Sequence, residues 1–161
     1  MNPERGGRLL VIAFFDNPAA GDIAARVLDK QGHADATGRT AGVLAFDTGG
    51  GIAAGRLGPR ATADGPGVGA VLGVIALAVT GRVLPRRGQL FDERSDLSTD
   101  DVARFAAELE AGQAAVAVLG CGRAAERAVI ELTGLGGKAE VHWLTGRALR
   151  QAAAAPGIGG P

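Results

Sequence analysis

The stretch Val116-Ala-Val-Leu-Gly120-Cys121-Gly122-Arg-Ala-Ala125 holds the residues best suited to chemistry in this 161-residue chain. It matches G-x-G-x-x-A between an expected strand and an expected helix, the pattern of a dinucleotide fingerprint. There the glycines make a tight turn, and a pyrophosphate rests on the N-terminus of the following helix. Gly120, Cys121 and Gly122 are thus a candidate ligand turn for a nucleotide or an anionic metabolite. The fingerprint also needs an acid at the end of the next strand to hold a ribose. Here that strand ends His142-Trp143-Leu144, with Glu140 in its middle. Glycine is abundant, 27 residues in all, so the match is cheap. A plain strand-to-helix turn explains the same residues.

Cys121 sits in that turn, and a thiol at a helix N-terminus is favoured as the reactive thiolate. His142, on a neighbouring strand, would be its base. Such a pair needs an orienting third residue, and none is identifiable; a lone cysteine is more often a small buried hydrophobe. Phe46-Asp47-Thr48-Gly49 contains the Asp-Thr-Gly of dimeric aspartic proteases, in which two aspartates share a proton. A hairpin turn with an Asx-type hydrogen bond accounts for it more simply. His33 falls in a polar turn, without a partner at metal-ligand spacing. A single cysteine excludes an internal disulfide and any multi-cysteine metal site. The residues therefore predict no enzyme, no catalytic residue, no metal and no cofactor.

These residues need a scaffold, and composition allows one. Hydrophobic residues make up 47% of the chain, enough to bury a core. Formal net charge is zero, so no global field draws the chain to nucleic acid. The first apolar run, Leu9 to Phe15, is short and ends at Asp16-Asn17-Pro18, unlike a signal peptide with its small-residue cleavage site. The expected location is the cytoplasm, or association with the inner membrane.

Residues 1–7 read as a flexible leader and residues 151–161 as a Gly/Pro tail. Between them the pattern predicts a single domain over 8–150. Leu9–Phe15 is a buried strand, and Asn17-Pro18 starts a helix that stops near Gly32. Ala41–Phe46 is a second strand, with a short return strand over Ile52–Leu57. Ser98-Thr-Asp-Asp101 caps a helix whose buried face is Val102, Phe105, Ala106 and Leu109. Ala114–Leu119 is a strand and Gly122–Thr133 a helix. Ala139, Val141 and Trp143 alternate with Lys138, Glu140 and His142, as in a half-buried strand. A short helix follows from Arg147. Two βαβ units sharing one antiparallel four-stranded sheet, with helices on one face, make a ferredoxin-like α+β sandwich.

Between the two units lies an insertion, about 65–84, read as a glycine-rich apolar helix, uncharged from Gly65 to Gly81 and followed by the arginines Arg82, Arg86 and Arg87. Gly65, Gly69 and Gly73 step by four residues, and Leu77 and Gly81 continue the step. Such a stripe lets helix backbones approach closely, as between membrane helices. The residues from Gly65 to Gly81 would span roughly 25 Å as a helix, somewhat short of the ~30 Å of a bilayer core. Self-association, another protein and a membrane surface are the expected partners of this stripe.

The segment Leu10-Val-Ile-Ala-Phe-Phe-Asp-Asn-Pro-Ala-Ala-Gly-Asp-Ile-Ala, followed by a hairpin, a glycine-rich apolar stretch, a helix and a closing βαβ, resembles the DUF1269 family of uncharacterised bacterial proteins, described as predicted membrane proteins. The resemblance covers most of residues 8–150, in layout more than in motif. The family's apolar segment is usually long enough for a helical hairpin; here it is one short helix. A related actinobacterial family shares the flanking units without that segment. The resemblance implies a non-enzymatic role, in stress physiology or as an accessory subunit, and no catalytic set.

Overall fold

A computed structural model of the chain describes residues 7–34, 40–53, 56–62, 65–80 and 97–154. Four long strands form one antiparallel sheet: β1 (Arg8–Phe15), β2 (Thr40–Leu44), β5 (Ala114–Gly120) and β6 (Lys138–Leu144), in the order β2-β5-β1-β6. Helix α1 (Pro18–Ala34) joins β1 to β2, and α4 (Gly122–Gly134) joins β5 to β6. Both connections skip over a strand, so each βαβ unit contributes one inner and one edge strand. A two-stranded ribbon, β3 (Ala61–Thr62) with β4 (Gly65–Pro66), precedes α2 (Val68–Val79); α3 (Thr99–Glu110) and α5 (Gly146–Ala154) complete the described elements.

The expected antiparallel sheet is present, but helices cover both of its faces rather than one. Val11, Ala13, Phe15, Val116 and Val118 pack with α1 and α4. Leu10, Ile12, Phe14, Ala115, Ala117 and Leu119 pack with α2, α3 and α5. This is why β1 and β5 read as unbroken apolar runs: both sides of each strand are buried. The insertion supplies one helix of the second layer, α2, and α3 and α5 supply the rest.

That role explains α2. Its apolar residues run all round the helix, and ten of its twelve residues are buried. It is shorter than the expected 65–84. Gly65 is in β4 at a φ of 126°, and Thr80 is the C-cap. Gly81 and the arginines Arg82, Arg86 and Arg87 lie outside the described residues, as do most of the leader and of the tail. Two other boundaries differ. Helix α1 runs past Gly32, so His33 is helical. Of the expected return strand over Ile52–Leu57, the described residues show one bridge, between Phe46 and Ile52, and a turn at Arg56; residues 54 and 55 lie outside them.

Candidate functional site

Helix α3 and edge strand β6 build a charged cluster together. The helix starts as expected: the Ser98 hydroxyl accepts from the Asp101 N–H at 3.1 Å, and the Ser98 N–H donates to Asp101 Oδ2 at 2.9 Å. Its apolar stripe, Val102, Phe105 and Leu109, is buried. That burial leaves Asp101 and Arg104 on the flank, above β6. Along β6, Glu140 lies opposite Ile12 and His142 opposite Leu10, so both side chains face the α3 layer. This is a correction to the expected pattern: His142 is only 7% exposed, whereas Val141 is 40% exposed.

Arg104 grips Glu140 with both terminal nitrogens, at 2.8 and 2.9 Å, and reaches Asp101 Oδ1 at 3.0 Å. His142 Nε2 is 2.9 Å from Glu140 Oε1, and its Nδ1 is 3.9 Å from Asp101 Oδ2. The Phe105 ring meets His142 nearly edge-on, with centroids 6.0 Å apart. Burial pushes the Asp101 carboxyl up, but the Ser98 N–H, Arg104, the Ser98 hydroxyl and His142 together hold it below the ordinary range. Burial likewise raises Glu140, and Arg104 and His142 outweigh it. Arg104 is raised chiefly by its hydrogen bonds to Glu140, so it stays charged.

A carboxylate whose folded pKa is depressed contributes stability above its unfolded value and loses it as pH falls through the folded value. The ordinary values here are 3.8 and 4.5. The cluster's contribution is therefore expected to be complete above about pH 5 and to vanish progressively below pH 4. Urea midpoints across this range should fall more steeply for the natural chain than for Asp101→Asn/Glu140→Gln. Parallel curves would show that the cluster does not couple protonation to folding.

Chemically the cluster is self-satisfied. All four carboxylate oxygens of Asp101 and Glu140 have partners, and the Ser98 hydroxyl is tied to Asp101 rather than to His142. A nucleophilic triad needs the base against the nucleophile. The arrangement instead fastens α3 to the sheet edge.

The other residues singled out from sequence are placed elsewhere, in three separate regions. Gly120, Cys121 and Gly122 form the turn from β5 into α4, where the Cys121 carbonyl accepts from the Ala124 N–H. Gly122 has a φ of 35°, a left-handed turn that favours glycine. Cys121 is exposed, not buried. It does not meet His142, which turns to the opposite layer and bonds Glu140. Strands β5 and β6, the two that α4 joins, are separated by β1, and every neighbouring pair is antiparallel. A dinucleotide fold needs parallel neighbours flanking a crevice at the helix N-terminus. Asp47 is an Asx turn, its Oδ1 accepting from the Gly49 and Gly51 N–H groups. Among the described residues no cluster of three or more His, Cys, Asp or Glu could hold a metal.

Within the glycine stripe, Gly69 serves close approach inside the chain, whereas nothing lies within 4 Å of a Cβ at Gly65. A Cβ on Gly69 would overlap the Gly58 carbonyl oxygen, and one on Gly67 the Pro59 carbonyl oxygen. Gly42, on β2, is covered by the Leu57 carbonyl in the same way. Gly73 is buried and Leu77 half-buried. Of the residues expected to meet a second copy or lipid, Gly69 and Gly73 are thus buried in the chain's own interior, Gly65 and Leu77 are half-buried, and Gly81 lies outside the described residues. No helix among the described residues is long and apolar enough to cross a membrane.

Asp101, Arg104, Glu140 and His142 were not singled out as a site. Their signal was present: Asp101 and Arg104 flank a buried helical stripe, and Glu140 and His142 share one face of a strand. What was hidden is that a second layer lies over that face.

The molecule is a mixed α+β protein, with five helices and a four-stranded antiparallel sheet among the described residues. No family model matches the chain, and no curated protein or solved structure is significantly similar to it.

Proposed function

We propose that this chain is a non-enzymatic self-association module on a ferredoxin-like body. The strand order, read as β6-β1-β5-β2 with two βαβ crossovers, supports the name of the fold. The observation that carries the function is the β6 edge. Among the described residues, β6 pairs with β1 alone, through seven successive residues without a bulge or proline. Proteins that stay monomeric blunt such edges with short strands, bulges, prolines, charged side chains or a covering helix or loop. Here the one lysine, Lys138, stands at the very start of the strand, Glu140 is already neutralised by Arg104, and Val141 at the centre stands exposed.

The purified chain should sediment at a multiple of its monomer mass across the micromolar range, without added ligand. A monomer at every concentration would refute the proposal. A monomer whose melting point rises with a nucleotide or an anionic metabolite would instead favour a ligand-binding module at Gly120–Ala125.

A further inference from the structure

We infer that two copies of this chain join β6 to β6 antiparallel about Val141, making one continuous eight-stranded sheet. This rests on the self-association proposed above and adds the surface and the register. A two-fold contact between identical copies is self-complementary. For antiparallel edge strands the axis stands perpendicular to the sheet and passes midway between the two copies of one residue. Each residue then faces a partner of the same parity, and the faces of the two sheets stay continuous.

Few centres are available to a strand running from Lys138 to Leu144. Centring on Glu140 sets two carboxylates directly opposite each other, which is unfavourable for like charges. Centring on His142 sets imidazole against imidazole and engages only residues 140–144. Centring on Ala139 engages little of the strand. Only Val141 uses all seven residues.

That register sets Lys138 opposite Leu144 at its two ends and brings complementary groups together between them. Toward α3, Glu140 of one copy lies opposite His142 of the other, an acceptor beside an imidazole. Toward α4, Val141 meets Val141, and Ala139 meets Trp143. These residues stand beside Val11, Ala13 and Leu9 on β1, so the apolar row under α4 continues across the axis. The other edge of the sheet does not offer this. Strand β2 has five residues, and the loop through Leu57 and Gly58 lies against its Ala41 and Gly42.

The test uses the full chain carrying Cys121→Ser, so that any introduced cysteine is the only one. Val141→Cys should cross-link to a covalent dimer on mild oxidation, since directly opposed residues have Cβ atoms about 4.5–5.5 Å apart. Lys138→Cys should not, because its two copies would be six residues out of step, about 20 Å. Val141→Lys should halve the sedimenting mass of a dimer while leaving the circular-dichroism spectrum unchanged. A dimer that cross-links through Lys138→Cys and not through Val141→Cys would overturn the register. A dimer that ignores all three changes would overturn the β6 interface and leave self-association standing. A natural chain that is always monomeric would remove both.

Discussion

Replacing Gly69 with leucine should cost at least about 3 kcal/mol, at or beyond the upper end of ordinary overpacking. The reason is what a side chain would meet. A Cβ on Gly69 overlaps the Gly58 carbonyl oxygen and lies 2.8 Å from the Pro59 carbonyl carbon. Backbone, unlike the end of a flexible side chain, cannot swing aside. This loop is also held in place. The Gly69 N–H donates to the Pro59 carbonyl at 2.8 Å, the Gly67 N–H to the Arg60 carbonyl at 3.0 Å, and the Val68 N–H to Thr40 Oγ1 at 2.9 Å. Gly58 has a φ of 87°, and its own Cβ position is 2.5 Å from the Ala41 carbonyl oxygen. Strand β2, the loop and the start of α2 therefore approach through glycine on every side. Even Gly69→Ala should be clearly destabilising. Gly134, the last residue of α4, gives the opposite sign: nothing lies within 4 Å of its Cβ position. Alanine there should stabilise by up to about 1 kcal/mol. Urea denaturation of the three variants decides the matter. A higher midpoint for Gly69→Leu would mean that the loop is not where the structure places it.

The same glycines show how far the sequence was legible. A four-residue glycine step announces close backbone approach, and that reading was physically sound. It does not say whether the approaching backbone belongs to another molecule or to the same chain. Uniform hydrophobicity around α2 was the stronger clue, because a helix apolar on all sides belongs in an interior. The limits of β1, α3, β5 and α4 were legible because each has a local cause: an apolar run, the Ser98 capping box, a strand ending in glycine, a helix ending near a glycine turn. The side-chain directions of β6 were harder. Alternation sorts a strand's residues into two sets but does not say which set is covered, and here a layer lies over each face. His142 was therefore read as outward, though it is buried against Phe105 and Glu140. The β6 edge itself depends on strand order, which no local pattern in the sequence specifies.

Phe105→Ala should have the other large effect, a loss of about 3–5 kcal/mol, as for other buried aromatic truncations. The Phe105 ring is fully buried, with its centroid 5.5 Å from that of Phe14 on β1 and 6.0 Å from that of His142 on β6. The Arg104 guanidinium carbon sits 5.1 Å from the same centroid. One side chain thus joins α3 to the middle strand, to the edge strand and to the charged cluster. Truncation leaves a cavity between two layers and removes the wall against which His142 is held. Phe105→Leu keeps most of the volume and loses only the ring contacts, each about 0.5–1.5 kcal/mol, so it should recover much of the loss. The damage should also be uneven. The layer of α1 and α4 has its own apolar cluster on the opposite face, whereas α3 and β6 depend on this ring. Native-state hydrogen exchange of Phe105→Ala should accelerate most at the amides of α3 and β6 and least at those of α1 and α4. Uniform acceleration would mean that the two layers unfold as one and that Phe105 is merely one more core residue. Acceleration confined to α3 and β6, with a weaker dimer, would tie the ring to the edge strand that is proposed to carry assembly.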